Sequence, residues 1–379
     1  MEAKSFFSVS YDLIVLEREI PFDLYVNASS IEKKQKFVRI FPQDEYLSEQ
    51  DLANFKTKYK QLYVAEDQRS LYMKSLVGSA DVTDSEAMSF IKDSAIQYLH
   101  GVFDPKKEFS TELLYETIHG CKDAVENMID VLDDYSIDGL RALIGNLSGH
   151  DFYTYDHSIN VSMYSLTVLR SIKPNATRTE LLHAGLGGLL HDLGKVKIPT
   201  EILNKPDGLT DEEYQVIKTH PDLGLDLILK SEGIDIDGLD IKTISRIINE
   251  HHEAWDGSGY PKGIAGKEIH LLARVCAIAD FFDAITTKRS YSEVVTVSQG
   301  LAIMEKTSGK KIDPKVFKLF SEHVKHSKVS TIKELKMSDN FDPSIPYSTL
   351  PLEEIEEMFS GDDFGKIKMI DSSMKKRKK

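Results

Sequence analysis

The sequence predicts an α+β N-terminal region followed by an all-α helical bundle that carries a metal site. Three observations predict it. Residues 1–80 mix short apolar or alternating runs with helical stretches. From Thr83 onward apolar residues recur at the helical period. Ligand-type side chains are then spread through the helical part at intervals that suit helical hairpins.

In the N-terminal region, residues 7–16, 22–26, 37–41 and 61–64 read as strands. Residues 48–59 read as a helix with Ser48 as N-cap and Asp51 in its first turn, and residues 66–76 as a second helix. Beyond Thr83, helices are expected over 85–99, 111–132 and 138–147, with the pattern continuing to His326. Residues 329–348 are polar and, with Pro343, Pro346 and Pro351 close together, read as a loose connection. Residues 352–359 suit an acidic amphipathic turn or two, and the basic end 375–379 a solvated tail. The expected division is a regulatory or dimerising region at 1–137, a metal-binding helical domain at 138–327 and a flexible tail at 328–379.

Composition narrows the function classes. Of 379 residues, 41% are hydrophobic and 28% charged, which suits a packed globular chain. The net charge of -14 argues against broad nucleic-acid binding through the phosphate backbone. An anionic substrate would need a local source of positive charge, and metal ions are one such source. No apolar run reaches membrane-spanning length, and residues 1–19 lack a basic segment followed by an apolar one. The two cysteines, Cys121 and Cys276, suggest no disulfide framework, so a cytoplasmic location is expected.

The chemistry concentrates between His157 and Asp280. His191 and Asp192 end an apolar run, where an ionisable pair is costly to bury without compensation. A divalent cation is one compensation; imidazole with carboxylate suits iron, manganese or zinc. Lys195 stands one helical turn beyond His191 if the helix persists, within reach of a phosphate oxygen. His157, His220, the adjacent His251 and His252, and Asp280 complete the set, at successive intervals of 34, 29, 31 and 28 residues (157 to 191, 191 to 220, 220 to 251, 252 to 280). Taken singly, each has a plainer explanation. A lone histidine on an apolar helix is usually a satisfied core residue, Asp280 could pair with Arg274, and His251 and His252 could straddle core and solvent. Taken together, the set is hard to explain as packing.

These residues also carry a resemblance. His191-Asp192-Leu193-Gly194-Lys195 resembles the HD signature, and the stretch from His251-His252-Glu253 through Gly257-Ser258-Gly259-Tyr260-Pro261 resembles the GYP signature. Ile198-Pro199, Ile202-Leu203-Asn204-Lys205-Pro206, Leu209-Thr210 and Glu213 follow the same pattern, as do Ala279-Asp280, Asp283-Ala284, Arg289 and Tyr291. Residues 151–326 are therefore similar to the HD-GYP family of the HD phosphohydrolases. The resemblance implies an HD-type helical domain with two or three metal ions, often iron, that hydrolyses cyclic di-GMP or a related cyclic dinucleotide. It implies His157, His191, Asp192 and Asp280 as ligands shared with HD hydrolases at large, and His220, His251 and His252 as ligands of a second ion, with Asp192 bridging. It further implies Lys195 and Arg289 on substrate phosphate, with Tyr291 beside them. It also implies that Tyr260 belongs to a loop that shapes the pocket and offers a surface to a signalling partner. Members with three metals carry a glutamate where Tyr153 stands, so two ions are expected. Ser292 and Glu293 replace a basic residue common in the family.

The expected reaction is in-line attack on the phosphodiester by a hydroxide bridging two ions, with Asp192 and Lys195 as the catalytic residues. Gly257 and Gly259 are expected to supply positive φ in a tight loop over the ligand. The alternative is a weakly catalytic receptor or scaffold that binds cyclic di-GMP. A homodimer through residues 1–137 is a further expectation.

Overall fold

The structure is a computed structural model; it describes residues 6–28, 36–76, 84–103, 109–133, 154–203, 205, 208–231, 239–287, 295–324, 335–337, 341–343 and 352–354. Its N-terminal part is α+β and the domain from residue 154 to 324 is helical, as the sequence pattern predicts.

Strands β1 (Phe6–Val9), β3 (Leu24–Asn27), β4 (Phe37–Phe41) and β6 (Leu62–Ala65) form one antiparallel sheet in the order β1-β6-β3-β4. Alternation sends Phe7, Val9, Leu24, Val26, Leu62 and Val64 into the core. The other face holds a ring cluster in which Phe6 stacks on Phe37 at 4.1 Å. Two short strands with little apolar signal, β2 (Arg18–Ile20) and β5 (Glu45–Leu47), pair as a separate ribbon. The expected strand at 7–16 is shorter than its apolar run. It ends at Val9, and a 3-10 turn at Tyr11–Leu13 follows, with Ile14 and Val15 still buried.

Helix α1 (Glu49–Lys58) starts at Ser48, whose hydroxyl accepts from Asp51 N–H while Asp51 returns the bond to the Ser48 N–H. Helices α2 (Arg69–Leu76), α3 (Asp84–Phe103) and α4 (Thr111–Asp133) pack together, and α2 also meets β6 of the sheet. Helix α4 also lies against α6 (Arg178–Leu190), joining this part to the bundle. The expected helix at 138–147 and the division at residue 137 fall outside the described residues.

The bundle is built on α5 (Thr154–Ile172), α6 and α11 (Leu271–Thr286), which pack on one another. Helix α6 is buried from Leu181 to Leu190 on every side, so it is the central rod of the domain. A capping box at Thr177 and Glu180 fixes its start. Around it stand α7 (Thr200–Leu203), α8 (Asp211–Ile217), α9 (His220–Ile228), α10 (Ile241–Glu250), α12 (Val297–Thr307) and α13 (Pro314–Val324).

The segment expected to be a tail is partly docked. Strand β7 (Leu335–Met337) pairs with β8 (Leu352–Glu354) and packs on α12, while Met337, Phe341 and Asp342 are buried. The start of the expected acidic helical turn at 352–359 is thus a strand. Leu335 and Leu352 fall at opposite ends of a polar, proline-rich stretch, so neither shows the alternation that marks a strand. The basic end 375–379 lies outside the described residues.

Candidate metal centre

Three histidines reach the centre by one local device. His191 and His251 are the C-caps of α6 and α10, and His220 opens α9 just after α8 ends. The last carbonyls of a helix lack intrahelical donors. Each ring turns back onto one of them: the Nδ1 of His191 bonds the Gly188 carbonyl at 2.7 Å, that of His220 the Ile217 carbonyl at 2.9 Å, and that of His251 the Ile248 carbonyl at 2.7 Å. A carbonyl only accepts, so Nδ1 carries the proton and the Nε2 lone pair faces the centre. His157, near the start of α5, is set by a carboxylate instead: Asp283 Oδ2 lies 2.7 Å from its Nδ1. Asp283 is fully buried, and its Oδ1 accepts from Asn160 Nδ2 and Thr287 Oγ1.

Asp192 lies between two groups of rings. Its Oδ2 is 3.3 Å from His191 Nε2 and 4.0 Å from His157 Nε2, and its Oδ1 is 3.3 Å from His220 Nε2. His157, His191 and Asp192 bring ligand atoms within 4.8 Å of one another, and so do Asp192, His220, His251 and His252. Asp280 joins the first group, its Oδ1 3.2 Å from His157 Nε2. The alternative pairing of Asp280 with Arg274 does not form; Arg274 binds Asp313. His251 and His252 do not straddle core and solvent either. Helix α10 stops at Glu250, and the turn that follows brings both rings inward at a centroid distance of 4.1 Å.

Burial holds these rings neutral. It pushes His220 down to about 3, His251 to about 4 and His252 well below the usual imidazole value, outweighing Asp192. His157 goes the other way: burial lowers it, but Asp280 and Asp283 outweigh burial and raise it to about 10. Burial also opposes ionisation of Asp192, yet His191, Lys195 and His220 hold its carboxyl well below the ordinary range.

This donor set fits divalent cations. Asp192 Oδ1, Asp280 Oδ1 and His252 Nε2 are buried without a hydrogen-bond partner. His220 Nε2 and His251 Nε2 face each other at 3.2 Å, although both Nδ1 atoms are the donors in their rings. Two lone pairs at that distance repel, whereas two ligands at about 2.1 Å from one ion sit roughly 3.0 to 3.4 Å apart.

Lys195 does not continue the helix of His191. It stands in a 3-10 turn (Leu193–Lys197), where its Nζ binds Asp192 Oδ2 at 2.8 Å. Gly194 lets this turn approach closely, since a Cβ there would run into the His220 carbonyl. In the loop after His252, Gly257 has φ +85° as expected, but Gly259 serves close approach, since a Cβ there would run into the Ala254 amide nitrogen and the His252 carbonyl. Tyr260 ends that loop with its ring stacked on His252 at 4.9 Å. Arg289, Tyr291 and the departures at Tyr153, Ser292 and Glu293 lie outside the described residues.

A cavity of about 380 Å³ opens beside His251, His252 and Asp280. Lys218, Lys311, Tyr214, Tyr260, Phe341 and Asp342 also line it. Sequence reasoning gave no role to Asp283 or Asp342. The first had a usable signal, one helical turn from Asp280 on α11; the second had none.

Residues 152–316 match the model of the HD domain family. The chain is 37% identical over 205 residues to the cyclic di-GMP phosphodiesterase PA4108 of Pseudomonas aeruginosa, covering 52% of this chain and 46% of that protein. It is 33% identical over 188 residues to the 3'3'-cGAMP-specific phosphodiesterase 3 of Vibrio cholerae, covering 49% and 39%. It is 41% identical over 128 residues to the cyclic di-GMP phosphodiesterase response regulator RpfG of Xanthomonas campestris, covering 33% and 32%. The chain thus spans less than half the length of these relatives. In fold it is similar to Bd1817, an HDG"Y"P protein from Bdellovibrio bacteriovorus, with a TM-score of 0.52 at 20% identity over 84% of this chain and 99% of that one. With the signature residues gathered at one buried centre, the segment 152–316 is an HD domain of the HD-GYP family.

Proposed function

We propose that this chain is a metal-dependent cyclic dinucleotide phosphodiesterase acting on cyclic di-GMP. The observation that carries the reading is Asp192, whose two carboxylate oxygens face two separate histidine groups at one buried centre. The relatives that match this segment are named for hydrolysis of cyclic di-GMP or 3'3'-cGAMP.

His157, His191 and Asp280 would hold one divalent ion, His220, His251 and His252 a second, and Asp192 would bridge them. Mixed nitrogen and carboxylate donors suit iron, with manganese or zinc as substitutes. Two ions so held would supply a water acidified toward neutral pH and a positive field over the phosphoryl oxygens. The protein's part is to present the substrate. Lys195, 13% exposed at its side chain, sits at the edge of the centre and can exchange Asp192 for a phosphate oxygen. Lys218 and Lys311 add positive charge to the cavity of a chain whose net charge is -14. Arg289 and Tyr291 are assigned further substrate contacts, and Tyr260 the wall over His252. We keep residues 1–137 as the regulatory or dimerising part and the Tyr260 loop as a surface for a signalling partner. No described helix is long and apolar enough to cross a membrane, and we assign the chain to the cytoplasm.

The test is product analysis with metal-replete protein given cyclic di-GMP and 3'3'-cGAMP separately. The proposal expects cyclic di-GMP to be opened to its linear form or to mononucleotide, at a higher rate than 3'3'-cGAMP. Binding of cyclic di-GMP without turnover would replace it by the receptor reading.

A further inference from the structure

His252 is held differently from the other histidines of its group. Among the described residues no backbone carbonyl bonds its Nδ1; the Tyr260 ring lies over it instead, with planes 21° apart. Tyr260 is in turn tied to the C-terminal segment, which lies outside the span of the HD match. Its hydroxyl donates to Asp342 Oδ2 at 3.0 Å, and the Tyr214 hydroxyl donates to the same oxygen at 2.8 Å. Lys218 Nζ stands 5.0 Å from the Tyr260 ring and 5.5 Å from the Tyr214 ring. Asp342 Oδ1 lies 3.8 Å from His252 Nδ1.

The segment bearing Asp342 is anchored. Phe341 stacks on Phe281 of α11 at 5.0 Å, Lys311 Nζ donates to the Phe341 carbonyl, and β7 rests on α12. Asp342 itself is 6% exposed. A carboxylate so buried is costly unless its hydrogen bonds are kept, so the two tyrosine hydroxyls are held where they are.

We infer that Asp342 is a positioning residue. It fixes the Tyr260 ring flat over His252 and so sets the angle at which His252 meets the group formed with Asp192, His220 and His251. The inference rests on the proposed metal-dependent reading. A strap from beyond the HD match then completes the wall of the centre, and a change in how residues 341–343 dock is felt at His252 through Tyr260.

The test combines cobalt(II) titration of metal-free protein, read by its ligand-field absorption, with kcat and KM for cyclic di-GMP in metal-replete protein. The variants are Asp342→Ala, Asp342→Asn, Tyr260→Phe and the double variant Asp342→Ala/Tyr260→Phe, each checked by circular dichroism. Asp342→Ala is expected to weaken one cobalt ion roughly tenfold and alter its band while the other ion is unchanged. It is expected to lower kcat with KM held within about twofold. Both tyrosines use one oxygen of Asp342, so a carboxamide oxygen there can replace it, and Asp342→Asn is expected to restore both readouts to within about threefold. The double variant is expected to be no worse than either single one. Unchanged cobalt binding in Asp342→Ala overturns the inference. So does a gain in activity, which would make Asp342 an obstruction, or a failure of Asn to rescue. If the alanine variant does not fold, Asp342→Asn and Tyr260→Phe decide by the same readouts. A wild type without turnover whose cobalt band still responds to Asp342→Ala upholds the inference and removes the phosphodiesterase reading alone.

Discussion

Replacing Asp283 by Asn isolates the role of a residue that touches no candidate ion. Asp283 Oδ2 accepts from His157 Nδ1 at 2.7 Å, leaving the Nε2 lone pair for the centre. A carboxamide changes this in either orientation. With its NH2 toward His157 it sets one donor against another, so the ring proton moves to Nε2, Nδ1 accepts from the NH2, and the Nε2 ligand is lost. With its oxygen toward His157 the tautomer survives, but the negative charge does not. Burial lowers the His157 pKa, but Asp280 and Asp283 together outweigh it and raise the ring from the usual value near 6.5 to about 10. A carboxylate that favours a proton at His157 favours a dication more, so its loss weakens the ion held by His157, His191 and Asp280. The expected loss is about 10- to 100-fold in affinity, roughly 1.4 to 3 kcal/mol. The assay is chelator competition on metal-free Asp283→Asn beside wild type. Calorimetric unfolding at pH 6 should show the metal-free variant less stable than wild type. A raised histidine pKa stabilises below the unfolded value and ceases to as pH climbs toward 10, so the gap should close by about pH 10. Unchanged metal affinity with a native fold would refute the reasoning.

Metal loading should release protons from one group and not the other. His157, raised to about 10, must give up its proton at pH 8, whereas His220 and His251, lowered to about 3 and 4, carry none. Calorimetric titration in buffers of different ionisation enthalpy should therefore show one proton per chain released from His157, in addition to any from metal-bound water, and a His157→Gln variant should release about one fewer. Metal-free protein should lose stability in acid. The unfolded histidines bind protons below about pH 6.5 and the folded His220 and His251 do not until about pH 4 or 3, a slope of about 2 to 3 kcal/mol per pH unit by chemical denaturation. Gly194→Ala should push the Lys195 turn off the His220 carbonyl, costing roughly 1 to 3 kcal/mol in stability and weakening metal binding; a variant equal to wild type in both would deny the close approach.

The helical domain was legible because its signals are local. The apolar run that ends at His191 marks a helix buried all round, and a histidine at a helix end finds a free carbonyl without help from distant sequence. The ligand intervals reported the hairpins but not the pairing of oxygens on Asp192, which depends on how α6, α9 and α10 pack. Strands β2 and β5 stayed hidden because only Ile20 and Leu47 of their residues are buried, too few for an alternation. Asp342 stayed hidden for a different reason. Its importance comes from Tyr214, 128 residues away, and Tyr260, 82 residues away, in a stretch whose prolines read as loose connection. Gly259 shows the limit of reading residue type alone, since a glycine signals either positive φ or close approach and only the fold decides.

Asp192 is shared by two ligand groups at one buried centre. Metal stoichiometry of anaerobically purified wild type and Asp192→Asn tests it most directly, with cyclic di-GMP turnover followed on the same samples. Two divalent ions per wild-type chain are expected, with a loss of affinity at both in the variant and no measurable turnover there. Retention of either ion at wild-type affinity, or of cyclic di-GMP cleavage, in a folded Asp192→Asn protein would contradict it.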